Sequence, residues 1–159
     1  MPNEIPAETI RHVTDLAREA GKTVIFNPAP VSEFALQVLD AVSYLTPNKH
    51  EAALLFPRET ALETLLVKQQ GKVIVTLGSE GVATWTDGKI LKIPARKATV
   101  VDTTGAGDTF NGAFAYALSN NYPLDEALRF ANVAASLSTE GNGAQGGMPT
   151  LKQVLASLE

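Results

Sequence analysis

Apolar residues recur at helical spacing in some stretches of the chain and form short continuous runs in others. Between about Pro6 and Ala20, apolar positions three or four residues apart predict an amphipathic helix that ends at Gly21. The positions that carry this pattern are Ile10, Val13, Leu16, Ala17 and Ala20. Similar reasoning predicts helices over 33–39, 49–56, 59–69, 107–119, 124–139 and 150–158.

Short β-branched and apolar runs predict strands between these helices. The runs are 23–26, 42–45, 73–77, 82–86 and 89–93. Asp87-Gly88 separates the last two, which indicates a two-residue hairpin. Strands that alternate with helices predict an α/β fold, with a three-layer, mostly parallel sheet, helices on both faces and an antiparallel hairpin at one edge. Ligands of such sheets bind beyond the carboxyl ends of the strands.

Composition narrows the class of protein. The 159 residues, 45% of them hydrophobic, suffice for a single domain over 1–159 with a real core. The net charge of −4 with 13 basic residues gives no basic stripe, which argues against a nucleic-acid partner. The chain has no cysteine, no apolar run of membrane-spanning length and no signal peptide at its first residues. A cytoplasmic protein without a membrane partner is therefore expected.

The segment from Val100 to Ala115 carries the strongest chemical signal. A Gly105-Ala106-Gly107 turn before a helix can point successive backbone N–H groups at one anion. A carboxylate at Asp108 repels such an anion, so its presence favours a general base that takes a proton from a hydroxyl attacking a bound phosphoryl group. The alternative is that Asp108 only caps the helix.

Residues 102–108, Asp-Thr-Thr-Gly-Ala-Gly-Asp, followed by Asn111-Gly-Ala, resemble the C-terminal signature of the ribokinase-like, or PfkB, carbohydrate kinases. Supporting motifs occur in that family's order, so that the resemblance covers nearly the whole chain. These motifs are Asn-Pro-Ala-Pro at 27–30, Thr-Pro-Asn-Lys-His-Glu at 46–51, Thr-Leu-Gly-Ser-Glu-Gly at 76–81, Gly-Ala-Gln at 143–145 and Met-Pro at 148–149.

The resemblance implies roles for three groups of residues. Asp108 is implied as the catalytic base, with Gly105, Ala106 and Gly107 as the anion hole. ATP is implied to contact Asn48, Thr76, Leu77, Gly78, Ser79, Glu80, Gly81, Gly107, Asp108 and Asn132. Magnesium is implied near Glu51, and an activating potassium ion at Asp102, Thr104, Ser138, Gly141, Gly143 and Gly147.

Several of these residues have simpler alternatives. Asn48 and Glu51 also fit a capping box at a helix start, and Asn132 also fits a polar packing contact. Residues 141–147 also fit a flexible loop. Arg96 and Lys97 are the nearest basic residues to the turn, and they fit either a phosphate contact or the solvated end of an edge strand.

The family's chains are about twice this long, and their sugar-contacting glycine-rich motif and lid have no counterpart here. The chain is therefore expected to be the nucleotide-binding, C-terminal half of a kinase that phosphorylates a small sugar, with D-ribose favoured. Fructose, a fructose phosphate, a deoxysugar or a nucleoside are alternatives, as is a non-catalytic nucleotide-binding or assembly module. Little turnover is expected from this half alone, and homo-oligomers are expected through an exposed sheet edge or exposed core surface.

Overall fold

The computed structural model of the protein describes residues 1–59 and 61–158. The helices are α1 (Ala7–Glu19), α2 (Phe34–Gln37), α3 (Lys49–Leu55), α4 (Leu62–Gln69), α5 (Ala106–Ser119), α6 (Leu124–Ser138) and α7 (Leu151–Ala156). The strands are β1 (Ile25–Phe26), β2 (Tyr44–Leu45), β3 (Ile74–Thr76), β4 (Val82–Thr86) and β5 (Lys89–Ile93). The described residues form two compact units, 1–76 with 83–91 and 77–82 with 92–158.

Parallel pairing links the strands of the first unit. β1 pairs with β2 in parallel, with Ile25 opposite Tyr44. Isolated parallel bridges join Leu45 to Val73 and Asn48 to Thr76, which brings the β2 region beside β3. The observed strands β1 and β2 are shorter than their apolar runs, because only two residues of each make ladder pairs. The predicted mostly parallel arrangement is confirmed in this part of the chain.

The predicted hairpin has the predicted bounds. β4 and β5 are neighbours in a sheet of order β3-β4-β5, and the two-residue connection makes them antiparallel. Asp87 and Gly88 both have positive φ, 50° and 76°, which is the backbone of a type I′ turn. The Asp-Gly pair therefore sets both the turn and the register of the hairpin.

Helix α1 is amphipathic, but its buried face is narrower than its apolar positions suggest. Ile10 is fully buried and Thr14 is 1% exposed, whereas Val13 is 43% and Leu16 is 51% exposed. Ile10 and Thr14 lie one turn apart, so the packed face follows these two positions. The side chains of Val13 and Leu16 project from the helix into solvent.

The second unit is built around α5 and α6. Phe110 and Phe114 of α5 are buried, as are Ala127 and Ala131 of α6, and small alanines allow close approach of the two helices. The ring of Tyr116 stacks on Phe130 at 5.6 Å between centroids. This pair of packed helices supports the turn at the start of α5.

Candidate functional site

The turn before α5 combines a left-handed glycine with the amides of a helix start, of which that of Ala106 already donates to the carbonyl of Thr103 at 3.2 Å. Gly105 is the N-cap residue, with φ of 78° and ψ of 2°, a conformation that glycine adopts without a side-chain clash. Ala106 and Gly107 are the first two helical residues, and the N–H groups of a first turn have no partner within the helix. The positive end of the helix dipole adds to these donors. The turn can therefore bind an anion such as a phosphate.

Asp108 lies in the first turn of α5, three residues after the N-cap. The interpretation of Asp108 as the cap is wrong, because Gly105 occupies that position and makes no side-chain cap hydrogen bond. The side chain of Asp108 is exposed, and it lines a groove of about 260 Å³ in the second unit. Other residues that line this groove include Thr109, Tyr116, Phe130, Met148 and Leu151. An exposed carboxylate beside amide donors has the chemistry of a general base.

Asp102 connects the turn to the glycine-rich segment 141–147. Its Oδ1 accepts a hydrogen bond from the backbone N–H of Thr104 at 2.9 Å, and its Oδ2 accepts one from that of Gly143, also at 2.9 Å. Hydrogen bonds from Thr104, followed by that from Gly143, hold the pKa of Asp102 below its usual value. The carboxylate is therefore kept ionised.

The glycine-rich segment folds back on the end of α6. A Cβ on Gly147 would lie 2.2 Å from the carbonyl oxygen of Ser138, and one on Gly141 would lie 2.6 Å from the Cα of Gly147. Only glycine permits these backbone approaches. The structure thus brings together the residues expected around potassium, with Thr104 joined to them by its bond to Asp102.

The donor set of this region suits a hard cation. Asp102 supplies carboxylate oxygens, Thr104 and Ser138 supply hydroxyl and carbonyl oxygens, and the glycines supply carbonyl oxygens. Across residues 1–59 and 61–158, no group of three or more His, Cys, Asp or Glu side chains is arranged for a metal ion. A cation in the second unit would therefore be held largely by main-chain oxygens.

The predicted nucleotide loop is a tight glycine turn after β3. Gly78–Glu80 forms a single 3-10 turn, and the backbone N–H of Leu77 donates to the carbonyl of Gly81 at 2.7 Å. Gly81 has a φ of 99°, and a Cβ there would lie 1.9 Å from the carbonyl oxygen of Ile93. The turn is exposed from Gly78 to Glu80, where a ligand could approach the backbone.

Asn48 and Glu51 form the capping box at the start of α3. The N–H of Glu51 donates to Oδ1 of Asn48 at 2.9 Å, and the N–H of Asn48 donates to Oε2 of Glu51 at 2.8 Å. The capping alternative is therefore confirmed. The box uses one oxygen of each side chain, so Oε1 of Glu51 can still order a metal-bound water. Asn48 also bridges to Thr76, which brings two of the predicted ATP residues together in the first unit.

Asn132 is 6% exposed on α6. Its amide Nδ2 donates to the carbonyl of Pro94 at 2.7 Å and approaches that of Ile93 at 3.4 Å. These contacts favour the polar packing interpretation of its side chain. A contact between Asn132 and adenine stays a prediction.

The model of the family described as pfkB family carbohydrate kinase matches residues 1–151. The chain belongs to this family. The residues that resemble the family's C-terminal signature, 102–108, lie within the matched range.

Relatives of this pfkB-family chain include two bacterial ribokinases. It is 51% identical over 160 residues to that of Lactococcus lactis subsp. lactis (strain IL1403), covering 100% of this chain and 53% of the relative. It is 46% identical over 151 residues to that of Bacillus subtilis (strain 168), covering 95% of this chain and 51% of the relative. The chain thus spans about half the length of the curated relatives it matches.

Solved structures confirm the predicted pfkB-family fold class. The ribokinase from Thermotoga maritima has a TM-score of 0.87 and 36% identity, with 99% of this chain and 55% of that chain covered. Arabidopsis thaliana ribokinase complexed with ribose and ATP has a TM-score of 0.87 and 35% identity, with 99% and 54% covered. In the part of the chain that the structure describes, every helix is too short or too polar to cross a membrane.

Three contacts near the turn of this pfkB-family chain are not predicted from its sequence. Arg96 pairs with Glu140 at 2.8 Å, a partner that neither the phosphate-contact nor the solvated-strand interpretation of Arg96 includes. The carbonyl of Thr139 accepts from the N–H groups of Val101 and Asp102. These partners are about forty residues apart and leave no periodic signal, so only the opposite charges of Arg96 and Glu140 hint at them.

Proposed function

We propose that this chain supplies the nucleotide-binding and phosphoryl-transfer part of an ATP-dependent ribokinase. The observation that carries the proposal is the exposed carboxylate of Asp108 in the first turn of a helix that begins with Gly105, Ala106 and Gly107. A negative side chain stabilises the start of a helix through the dipole, but it would weaken the binding of an anion at a turn that did nothing else. A turn that both holds a phosphoryl group and activates a hydroxyl needs such a base.

In this mechanism, Asp108 accepts the proton of a sugar hydroxyl as the hydroxyl oxygen attacks the γ-phosphorus of ATP. The new bond joins the sugar oxygen to phosphorus, and the bond to the bridging oxygen breaks, so ADP leaves with that electron pair. The N–H groups of the Gly105–Gly107 turn donate to the phosphoryl oxygens as charge develops on them. The side chain of Asp108 therefore acts on the acceptor and the turn acts on the phosphate.

D-Ribose is the acceptor we propose, with ribose 5-phosphate as product. Support comes from the relatives of more than 45% identity, which are named ribokinases, and from a 35% identical ribokinase structure that holds ribose and ATP. A deoxyribokinase from Salmonella typhi is 30% identical over 159 residues. The higher identity to ribokinases favours ribose over a deoxysugar.

Two cations complete the proposal. Magnesium would sit on the ATP phosphates and take a water-mediated contact from Glu51, whose Oε1 is not used by the capping box. Potassium would lie among the oxygens of Asp102, Thr104, Ser138, Gly141, Gly143 and Gly147. When bound, these cations neutralise phosphate charge and organise the loops around the turn.

The test compares two aspartates in the first turns of two helices. Asp108→Asn removes the carboxylate at the start of α5, and Asp125→Asn removes one at the start of α6. Each substitution should cost about 0.3–1 kcal/mol of stability through the helix dipole. Calorimetric titration should show that Asp108→Asn binds ATP with magnesium at least as tightly as the unmodified chain, because a like charge beside the phosphates is gone.

Ribose-dependent ADP release, measured at high protein concentration, separates catalysis from binding. Asp108→Asn should lower its rate by about two to four orders of magnitude, as expected when a general base is lost. Asp125→Asn should leave both the rate and the ATP affinity unchanged. If the unmodified chain shows ribose-dependent ADP release and Asp108→Asn releases ADP as fast, or if the unmodified chain binds no ATP, the proposed function is wrong.

A further inference from the structure

Residues 96–105, which we call the pre-helix segment, lead into the turn at α5 without forming a helix or strand. Few apolar contacts hold this segment, since Val100 is 61% and Val101 is 58% exposed. Its conformation must therefore come from specific contacts with other parts of the second unit. All of the contacts described below reach residues 139–144, which we call the post-helix segment because they follow α6.

The two segments are joined at four successive levels. The guanidinium Nη1 of Arg96 contacts Oε1 of Glu140 at 2.8 Å, and the N–H of Thr99 approaches the same oxygen at 3.4 Å. Closer to the turn, the N–H groups of Val101 and Asp102 donate to the carbonyl of Thr139 at 2.7 and 3.1 Å. Asp102 then accepts from the N–H of Gly143, and Gly105 packs on Ala144.

The contact between Arg96 and Glu140 is the one farthest from the turn. Among the contacts between the two segments, it is the ion pair. The side chains of Arg96 and Glu140 are 32% and 34% exposed, so water partly screens the pair. Glu140 directly precedes the glycine-rich segment, so its anchoring fixes where that segment begins.

We propose that the Arg96–Glu140 ion pair is a positioning element that aligns the pre-helix segment, and through it the N–H donors of the turn at Gly105, with the nucleotide phosphates. The inference rests on the proposed function for its ligand. Neither residue touches the phosphates in this role. Their effect reaches the turn through the hydrogen bonds of Thr139 and Asp102.

Hydrogen exchange in the absence of ligand tests the alignment itself. The variants are Arg96→Ala, Glu140→Gln and the double reversal Arg96→Glu with Glu140→Arg, and Lys68→Ala is the control because it breaks the Lys68–Glu59 ion pair in the first unit. Each single variant should exchange the amides of Val101, Asp102 and Gly143 about two to five times faster, the range expected for a partly exposed ion pair. The double reversal should restore slow exchange.

Calorimetric titration with ATP and magnesium then tests the effect on the ligand. The Kd should rise by about the same two- to five-fold factor in the single variants and return in the double reversal. Lys68→Ala should change neither readout. Unchanged exchange in Arg96→Ala, no recovery in the double reversal, or faster exchange with an unchanged Kd would each overturn the positioning role. Absence of ATP binding by the unmodified chain would instead refute the proposed function, whatever the exchange rates.

Discussion

Gly107 is the position where stability and binding make opposite demands on one residue. A methyl group there would meet no heavy atom within 4 Å outside the backbone of its own helix, so the fold has room for a larger residue. Alanine in a helix is more stable than glycine by about 0.5–1 kcal/mol. Because Gly107 belongs to the turn that is proposed to bind the phosphate, an added methyl group would crowd that ligand.

We therefore expect Gly107→Ala to raise the free energy of unfolding by up to about 1 kcal/mol while it weakens binding of ATP with magnesium. The Kd for ATP should rise about tenfold, which corresponds to a loss of about 1.4 kcal/mol of binding free energy. Denaturant titration and calorimetry measure the two effects. Gly112→Ala, five residues farther along α5 and equally unobstructed, should give the stability gain without the loss of affinity. Equal ATP affinity in Gly107→Ala and the unmodified chain would contradict the expectation.

At the scale of elements, residues 1–59 and 61–158 contain two capping boxes of the same design. Asn48 with Glu51 starts α3, and Thr150 with Gln153 starts α7. Both pairs satisfy backbone donors that the first turn of a helix leaves free. The resemblance assigns a part in nucleotide binding to the first box alone.

The two boxes provide a matched test of that assignment. Asn48→Ala and Thr150→Ala should each lower the free energy of unfolding by about 1 kcal/mol, because each removes a cap. Calorimetry should show weaker binding of ATP with magnesium in Asn48→Ala and unchanged binding in Thr150→Ala. If both variants bind ATP equally well, the first box is a structural cap and nothing more.

Local signals in the sequence predict the helices and strands well, but they do not predict contacts between residues that are distant in the sequence. The Asp87-Gly88 turn gives both strands of the hairpin their bounds, because backbone conformation there depends on these two residues. Apolar spacing locates α1 but not its buried face, since the choice between Ile10 and Leu16 depends on what packs against the helix. Residue types alone indicate the site motifs, whereas the hydrogen bond from the N–H of Gly143 to Asp102 depends on tertiary structure.

For the molecule as a whole, exposed apolar side chains predict self-association. Val13 and Leu16 lie three residues apart on α1 and are 43% and 51% exposed, so together they present apolar surface that a second copy of the chain could cover. We expect the measured mass to rise with protein concentration in light scattering coupled to size-exclusion chromatography. Leu16→Glu should lower it. Val67 is also an exposed apolar residue, but it lies on α4 without a second one among residues 62–69. Val67→Glu should therefore leave the measured mass unchanged. A mass independent of concentration would contradict this expectation.

The contact between Gly105 and Ala144 limits how this chain can be redesigned. Two of the three atoms that a Cβ on Gly105 would meet are the backbone Cα and carbonyl oxygen of Ala144, at 2.9 and 3.2 Å. A smaller side chain at position 144 removes neither atom, and the positive φ of Gly105 would remain. A combinatorial library that randomises both positions and selects for folded, ATP-binding clones should therefore return glycine at 105 whatever it returns at 144.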